Sequence, residues 1–184
     1  MEQPLVVVLT GAPASGKSVT GAAYARLTGA ALLDQDTLTN PLVDVVAGLL
    51  DVHDYADPRL AAATRDARYE CLLRVAEDCL RVGVPVVLVA PFTTERRDAA
   101  AWGRLAARMA AAGGRARLAW LRVAPDELER RLVGRGAARD AAKLADVRAW
   151  VAGLDLAAPA VPFVEVDAAA EPAEQADALR AALA

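Results

Sequence analysis

A short apolar run near the start of the chain leads directly into a glycine-rich loop. Residues 5–10 are apolar, and residues 11–18 read Gly-Ala-Pro-Ala-Ser-Gly-Lys-Ser, which matches the pattern G-x-x-x-x-G-K-[S/T]. Gly11 and Gly16 allow the backbone to turn its N–H groups inward as an anion-binding nest. A helix that begins near Lys17 would point its positive end at the same anion. The sequence therefore predicts a strand, a phosphate-binding loop and a helix, in that order.

The last residues of this phosphate loop (residues 11–18) carry side chains suited to a nucleotide. Lys17 can reach between the β- and γ-phosphates, and the hydroxyl of Ser18 can bind Mg²⁺. Lys17 and Lys143 are the only lysines among 21 basic residues, so each stands out against a background of arginine. The residues expected to contact the nucleotide here are Gly11, Ala12, Pro13, Ala14, Ser15, Gly16, Lys17, Ser18 and Val19.

Apolar runs alternate with helical patterns along the rest of the chain. The five runs lie at residues 5–10, 31–34, 84–90, 118–123 and 163–166. The helical segments lie at about residues 17–28, 41–50, 59–82, 97–112, 125–133, 140–154 and 174–183. Near-continuous apolar runs are typical of parallel strands that are buried on both faces. The alternation predicts an α/β fold, doubly wound, with helices on both faces of a parallel sheet. The 184 residues predict a single domain, 1–184.

One predicted helix, 59–82, has small apolar residues at every fourth position. These residues are Ala63, Ala67, Cys71, Val75 and Cys79. The spacing, with charges between these residues, is typical of a helix.

Composition and charge exclude several classes of function. The formal net charge is −3, acidic and basic residues are interleaved, and no basic stretch suits a nucleic acid or an anionic membrane. Two cysteines provide no disulfide framework. The N-terminus lacks the positive charge of a signal peptide, and residues 5–10 are too short to span a membrane. We therefore expect a cytoplasmic protein, monomeric or homodimeric, with neither a nucleic-acid partner nor a membrane partner.

Two carboxylates stand at the end of the second predicted strand. Asp34 and Asp36 would meet a ligand there, because ligands of such sheets bind beyond the carboxyl ends of the strands. One acid could accept the proton of an attacking hydroxyl, and either could help to hold Mg²⁺. Alternatively, Asp36 could cap the helix that follows. The third strand ends in Pro-Phe-Thr-Thr at residues 91–94, without the acid that ATPases of the motor or AAA type place there. This absence favours phosphoryl transfer over an ATP-driven machine.

The phosphate loop together with Asp34-Gln35-Asp36 resembles the small-molecule P-loop kinases. That group includes gluconate kinase, shikimate kinase, adenylylsulfate kinase, chloramphenicol phosphotransferase and the zeta-toxin-like sugar-nucleotide kinases, and some of its members are loosely described as AAA-type ATP-binding proteins. The resemblance implies a P-loop NTPase fold with strand order 2-3-1-4-5, a short lid, and ATP and Mg²⁺ as cofactors. It implies Asp36 as the catalytic base and Ser18, Asp34 and Asp36 as metal-binding residues. The chain lacks the glycine triplet by which shikimate kinase holds its substrate.

Basic residues recur at every fourth position after the fourth strand, at Arg131, Arg135, Arg139 and Lys143. Glycines at 134 and 136 would interrupt a helix here, so we expect a hinged lid at about residues 133–143. Arg135 and Arg139 would stabilise the charge that develops during transfer. The resemblance suggests that Arg131 stacks on adenine. The alternative is a solvated face that pairs with nearby acids, a role we assign to Arg130.

The resemblance implies that a small-molecule phosphate acceptor is recognised by the segment of the chain between the second and third strands, at about residues 37–82. Arg65 and Arg68 lie three positions apart on one helix and could hold it, or could pair with Asp66 or Glu70. Tyr69, Phe92 and Thr93 complete the predicted acceptor site. The acceptor would be a sugar, a nucleoside, an antibiotic or a related metabolite. A nucleotide-dependent regulatory ATPase or switch, or a zeta-toxin-like sugar-nucleotide kinase, remains the alternative.

Overall fold

Five parallel strands form one sheet in the computed structural model, which describes residues 3–135 and 146–184. The strands are β1 (Leu5–Gly11), β2 (Ala31–Asp34), β3 (Val86–Val89), β4 (Arg115–Arg122) and β5 (Phe163–Asp167). Their order is β2-β3-β1-β4-β5, and every neighbouring pair is parallel. The predicted P-loop NTPase sheet and its strand order are confirmed. This order places the carboxyl ends of β2, β1 and β3 side by side.

Helices cover both faces of the sheet. They are α1 (Lys17–Thr28), α2 (Gln35–Leu50), α3 (Pro58–Arg81), α4 (Ala99–Ala111), α5 (Pro125–Arg135), α6 (Val147–Ala152) and α7 (Pro172–Leu183). Alternate residues of β1 face two separate apolar clusters: Val7 and Leu9 belong to one, Val6 and Val8 to the other. Because side chains alternate across a strand, each face of the sheet is buried by its own set of helices. Within residues 3–135 and 146–184, no helix is long and apolar enough to cross a membrane.

Helix α2 begins six residues earlier than the sequence pattern predicted. Its first residue is Gln35, and Pro41 lies inside it. The side chain of Asp34 caps the helix by accepting the backbone N–H groups of Asp36 and Thr37. A satisfied cap fixes the start of a helix, and the loss of one N–H donor at a proline is then tolerated. The predicted start at residue 41 was wrong for this reason.

Helix α3 does not bury the period-four row of small apolar residues that the sequence shows. Its buried residues are Leu60, Thr64, Leu72, Ala76 and Leu80. By contrast, Cys71 is exposed and Cys79 is half-buried. Leucine removes more apolar area from water than alanine or cysteine, so the face with three leucines packs against the sheet. The buried face has a period of four, and Arg68 falls on it between Thr64 and Leu72.

Helix α5 continues through Gly134 and ends at Arg135. The predicted break at Gly134 was therefore wrong, because a single glycine costs a helix only about 1 kcal/mol. The other residues assigned to the lid, among them Arg139 and Lys143, lie outside the described residues.

Candidate nucleotide and acceptor site

The phosphate loop connects the carboxyl end of β1 to the start of α1. Gly16 has a φ of 101° and Ala14 a φ of 62°, so both lie in the left-handed region. A Cβ atom on Gly11 would stand 2.8 Å from Oγ of Ser15, which leaves room only for glycine. Helix α1 has no side-chain cap and no acidic residue in its first turn. Its first N–H groups are therefore suited to an external anion such as a phosphate.

Two polar side chains of the loop lie inside this curve. The ammonium of Lys17 donates to the carbonyl oxygens of Gly11, at 3.0 Å, and Ala12, at 2.7 Å, so it lies folded over the loop. The hydroxyl of Ser15 is buried and has no hydrogen-bond partner among the described residues. A left-handed backbone, an uncapped helix and a buried unpartnered hydroxyl fit a bound phosphate group.

Asp34 joins β2 to the phosphate loop. Ser18 Oγ donates to Asp34 Oδ2 at 2.6 Å, while Oδ1 of the same carboxylate accepts the N–H of Asp36 at 2.9 Å. The helix-capping role considered for Asp36 thus belongs to Asp34. A serine hydroxyl beside a carboxylate is a set of hard oxygen donors that suits Mg²⁺. In the part of the chain that the structure describes, no three His, Cys, Asp or Glu side chains cluster as a metal site. A metal here would therefore need phosphate and water as further ligands.

Asp36 contacts α3. Its Oδ1 accepts a hydrogen bond of 2.6 Å from Arg68, and its side chain is 58% exposed. Arg68 also donates to Thr39 Oγ1 at 2.8 Å and to Asn40 Oδ1 at 2.9 Å. The alternative pairing of Arg68 with Glu70 does not form, since Glu70 instead accepts from Arg74 and Arg108. Asp34, at the end of β2, and Asp36, in the first turn of α2, therefore have different hydrogen-bond partners.

A cavity of about 350 Å³ lies between α2, α3 and the end of β3, and Arg68, the hydrogen-bond partner of Asp36, is part of its lining. Its lining residues, which we call the acceptor pocket, are Gln35, Val43, Tyr55, Leu60, Ala61, Thr64, Arg65, Arg68, Tyr69, Pro91 and Thr93. The predicted residues Arg65, Arg68, Tyr69 and Thr93 are thus brought together. A larger groove of about 920 Å³ lies at the opposite edge of the sheet, near Pro4 and Gly113, and includes no phosphate-loop residue.

Phe92 does not line this pocket, contrary to the sequence-based expectation. Its side chain is fully buried, and its ring packs edge to face on Tyr69 with centroids 5.6 Å apart. Its φ is 43°, and its backbone N–H donates to the Tyr69 hydroxyl at 3.0 Å. Burial raises the pKa of Tyr69 to about 12, so the phenol stays protonated. Phe92 therefore supports the pocket wall through Tyr69 rather than facing an acceptor.

Arg131 ties the phosphate loop to the turn after β5. It donates to the carbonyl oxygens of Ser15, at 2.8 Å, and Ala168, at 2.6 Å, and its Nε donates to Glu127 at 2.6 Å. Arg130 pairs with the same Glu127 on the exposed side, as predicted. Arg131 thus borders the nucleotide site, whereas Arg135 is the last residue of α5.

The sequence analysis missed two buried glutamines in this region. Gln175 on α7 accepts from the hydroxyl of Thr20 and donates to the carbonyl oxygens of Ala168 and Ala170. Gln35 lies between the two acids of β2 and lines the acceptor pocket. Both are nine-tenths or more buried, and a polar residue within a helical pattern gives no sequence signal of such burial.

The structure resembles several solved kinase structures along nearly its whole length. A candidate kinase from Chloroflexus aurantiacus superposes with a TM-score of 0.71 at 21% identity, covering 100% of this chain and 97% of that chain. A gluconokinase from Sinorhizobium meliloti gives 0.59 at 20% identity, covering 100% and 93%. The APS kinase CysC of Mycobacterium tuberculosis, in complex with AMPPNP and APS, gives 0.63 at 20% identity, covering 100% and 99%. At these identities the likeness establishes a shared fold.

The amino-acid sequence matches one protein family. No curated protein matches the chain. The family model AAA_33, described as an AAA domain, matches residues 6–159, which is most of the sequence and includes the phosphate loop, both acids of β2 and the acceptor pocket. The chain therefore belongs to the AAA_33 family of AAA domains.

Proposed function

We propose that the protein is an ATP-dependent kinase that transfers the γ-phosphoryl group to a hydroxyl of a small molecule. The observation that carries this proposal is the division of labour between two acids at the end of β2. Asp34 is hydrogen-bonded to Ser18 of the phosphate loop, whereas Asp36 is hydrogen-bonded to Arg68, which lines the acceptor pocket. A nucleotide site and an acceptor pocket that meet at adjacent carboxylates are what phosphoryl transfer to an alcohol requires.

The reaction follows from this placement. The hydroxyl oxygen of the acceptor forms a bond to the γ-phosphorus, the bond from that phosphorus to the β–γ bridging oxygen breaks, and ADP leaves with the electron pair. Asp36 takes the hydroxyl proton. Lys17 stabilises the charge on the phosphates, and Arg135 and Arg139 are proposed to add positive charge during transfer. Ser18 and Asp34 would hold Mg²⁺, which when bound supplies positive charge to the β- and γ-phosphate oxygens.

Asp36 is assigned to proton transfer rather than to the metal, although the sequence left both roles open. Its neighbour Asp34 already approaches Ser18, the expected magnesium ligand, at 2.6 Å. The side chain of Asp36 is exposed enough to meet an acceptor. The structural relatives, which include a gluconokinase and an APS kinase, support a small molecule as the phosphate acceptor.

The test is an ADP-release assay with Mg²⁺ and ATP against a panel of sugars, nucleosides and antibiotics. We expect Asp36→Asn to lose at least about 100-fold in kcat with the best acceptor, because general base catalysis contributes on that scale. ATP binding to the same variant, measured by calorimetry, should be unchanged within about threefold, since Asp36 is assigned no contact with the nucleotide. Asp66→Asn, which alters an exposed acid on α3, serves as the matched control. Transfer by Asp36→Asn at the wild-type rate would refute the mechanism.

A second candidate is a nucleotide-dependent switch that binds a partner protein. One observation favours it: Leu42, Val45 and Leu49 form an exposed apolar row on α2, with 65%, 59% and 82% of their surfaces exposed. This candidate predicts that no compound of the panel stimulates ADP release. It also predicts that Leu49→Asp abolishes partner binding and leaves ATP binding intact.

A further inference from the structure

The side-chain amide of Gln35 is buried without a hydrogen-bond partner for its nitrogen. Gln35 is 6% exposed, and its Nε2 finds no acceptor among the described residues. Native proteins rarely leave a buried donor unpaired, because the lost hydration costs free energy that nothing repays. Gln35 also lines the acceptor pocket, so its amide is placed to pair with a group that enters the cavity.

Gln175 shows that this chain can satisfy a buried glutamine when the role is structural. Gln175 is 5% exposed, close to the value for Gln35, but its Nε2 donates to Ala168 at 3.2 Å and Ala170 at 2.7 Å, and its Oε1 accepts from Thr20. The two residues are thus matched in type and burial and differ in hydrogen bonding. Gln175 therefore supports the fold through its hydrogen bonds, whereas Gln35 has no such role for its amide nitrogen and lines a pocket.

The backbone holds Gln35 at a fixed position relative to the reacting groups. Its neighbour Asp34 is bonded to Ser18, and its neighbour Asp36 is bonded to Arg68. The carbonyl oxygen of Gln35 accepts a hydrogen bond of 2.6 Å from Thr39. An atom on an acceptor that bonds Gln35 would therefore lie at a set distance from the hydroxyl that Asp36 deprotonates.

The other groups of the acceptor pocket leave few donors for its inner end. Four of the lining residues are buried and form that inner end: Gln35, Val43, Leu60 and Thr64. Val43 and Leu60 are apolar, and the Thr64 hydroxyl already donates to the carbonyl oxygen of Leu60 at 2.8 Å. Arg65 lines the pocket from an exposed position. The amide of Gln35 is consequently the polar contact that the inner, mostly apolar end can offer.

We propose that Gln35 is a specificity-determining residue for the phosphate acceptor, and that its Nε2 donates to a second oxygen of the acceptor in the inner end of the pocket. This inference rests on the proposed kinase function. The acceptor class that follows is a compound with an apolar face that carries a hydroxyl, carbonyl or ether oxygen in addition to the hydroxyl that is phosphorylated. An acceptor that carries only an amine at that end would bind poorly, because the amine N–H and the Nε2 of Gln35 are both hydrogen-bond donors.

The first test needs no acceptor. Gln35→Met keeps the shape of the side chain and removes an unpaired donor, so we expect the Tm of the protein alone to rise by about 2–4 °C. Gln175→Met, the same change at the bonded glutamine, should lower the Tm by about 4 °C or more. If Gln35→Met lowers the Tm as far as Gln175→Met does, Gln35 has a structural role and the inference is wrong.

The second test uses ATP with ribose, gluconate, uridine and chloramphenicol, and with analogues of the best of them that each lack one oxygen. Wild type should prefer the parent compound over one analogue by tenfold or more. Gln35→Met should raise KM for the parent by a similar factor, change kcat little, and lose the discrimination. An unchanged KM would refute the role of Gln35 and leave the kinase function standing. Acceptor-independent ADP release with every compound would refute the kinase function, and the inference with it.

Discussion

Asp36 and Arg68 lie 32 residues apart in the chain, and Arg68 donates a hydrogen bond of 2.6 Å to the Asp36 carboxylate. The guanidinium itself is fixed by two further bonds, to Thr39 and Asn40. Because all of its partners lie on the first turns of α2, Arg68 fastens α3 to the helix that carries the proposed base. A carboxylate held in this way keeps one orientation.

This relationship predicts that Arg68 positions the base. Arg68→Met should lower kcat for acceptor phosphorylation by about 10- to 100-fold, because a misplaced base loses the alignment on which proton transfer depends. KM for ATP should stay within about twofold of wild type. Arg68→Lys should recover only part of the loss, since an ammonium lacks the fork that reaches three partners.

The control for this prediction is Arg74→Met. Arg74 lies on the same helix, its side chain is 73% exposed, and it pairs with Glu70 rather than with an α2 residue. Its loss should leave kcat unchanged. If Arg68→Met and Arg74→Met are equally active, Arg68 has no part in holding Asp36.

The parts of the site that could be predicted from the sequence are those encoded locally. The phosphate loop depends on glycines and a lysine at fixed spacing, and Asp34 follows its strand directly, so the motif places these side chains together without knowledge of the fold. The strand order came from a resemblance to known kinases. Local periodicity alone could indicate the strands but not which of them are neighbours.

The parts that could not be predicted depend on packing between distant segments. Helix α3 has two faces with a period of four in apolar residues. The face that is buried against the sheet contains Leu60, Leu72 and Leu80, and Arg68 lies on this face. Phe92 was expected in the pocket because it follows β3, yet its ring is buried against Tyr69. The hydrogen bonds of Gln175, and their absence at Gln35, appear only when α7 and α2 are placed against the sheet.

A cluster of charges between α3 and α4 predicts a dependence of stability on acid pH. Hydrogen bonds from Arg108 and Arg74 lower the pKa of Glu70 to about 2 from its ordinary 4.5. Because the folded-state pKa is depressed, the stabilisation is complete above pH 4.5 and is lost as the pH falls from 4.5 toward 2. Glu70 is partly exposed, so solvent screening limits its contribution to about 1 kcal/mol or less.

Urea unfolding of wild type and Glu70→Gln at pH 7, 4.5 and 3 measures this contribution. The variant should be less stable at pH 7, and the difference in the free energy of unfolding should shrink as the pH falls below 4.5. Asp78→Asn alters an exposed pair within α3, with Arg81, and should give a smaller difference at pH 7. If the difference in the free energy of unfolding between wild type and Glu70→Gln stays constant from pH 7 to pH 3, the ionised Glu70 does not stabilise the fold.

A buried arginine secures the loop after β3, which carries the pocket residue Thr93. The Arg96 side chain is 7% exposed, and it donates to the carbonyl oxygens of Asp155 and Ala157 and pairs with the Asp155 carboxylate at 3.0 Å. Burial lowers the pKa of Arg96. Arg96→Met should reduce the free energy of unfolding by about 2–3 kcal/mol, because the buried cation is lost and the carbonyl oxygen of Asp155 loses its donor, although that of Ala157 keeps Arg97.

The adjacent Arg97 provides a comparison, since it pairs with the same Asp155 from a position that is 30% exposed. Water can replace part of its hydrogen bonding, so Arg97→Met should cost about 1 kcal/mol. The free energies of unfolding of Arg96→Met and Arg97→Met, measured by chemical unfolding at pH 7, test this comparison. Equal losses in both variants would mean that the burial of Arg96 is not what stabilises this loop.

Arg131 and Arg130 are neighbours that share Glu127 but differ in what else they reach. Arg131 also donates to carbonyl oxygens of the phosphate loop and of the turn after β5, whereas the Arg130 side chain is 77% exposed. Arg131→Met removes the charge and both cross-links, so the phosphate loop and that turn lose their common support. We expect KM for ATP to rise by about tenfold, which corresponds to one lost charge-assisted hydrogen bond, with a smaller change in acceptor KM. Arg130→Met should leave both KM values unchanged.

The refuting outcome is equal binding of ATP by the Arg131→Met and Arg130→Met variants. In that case the hydrogen bonds from Arg131 to the phosphate loop and to the turn after β5 have no part in nucleotide binding. The adenine contact suggested for Arg131 would then be wrong as well.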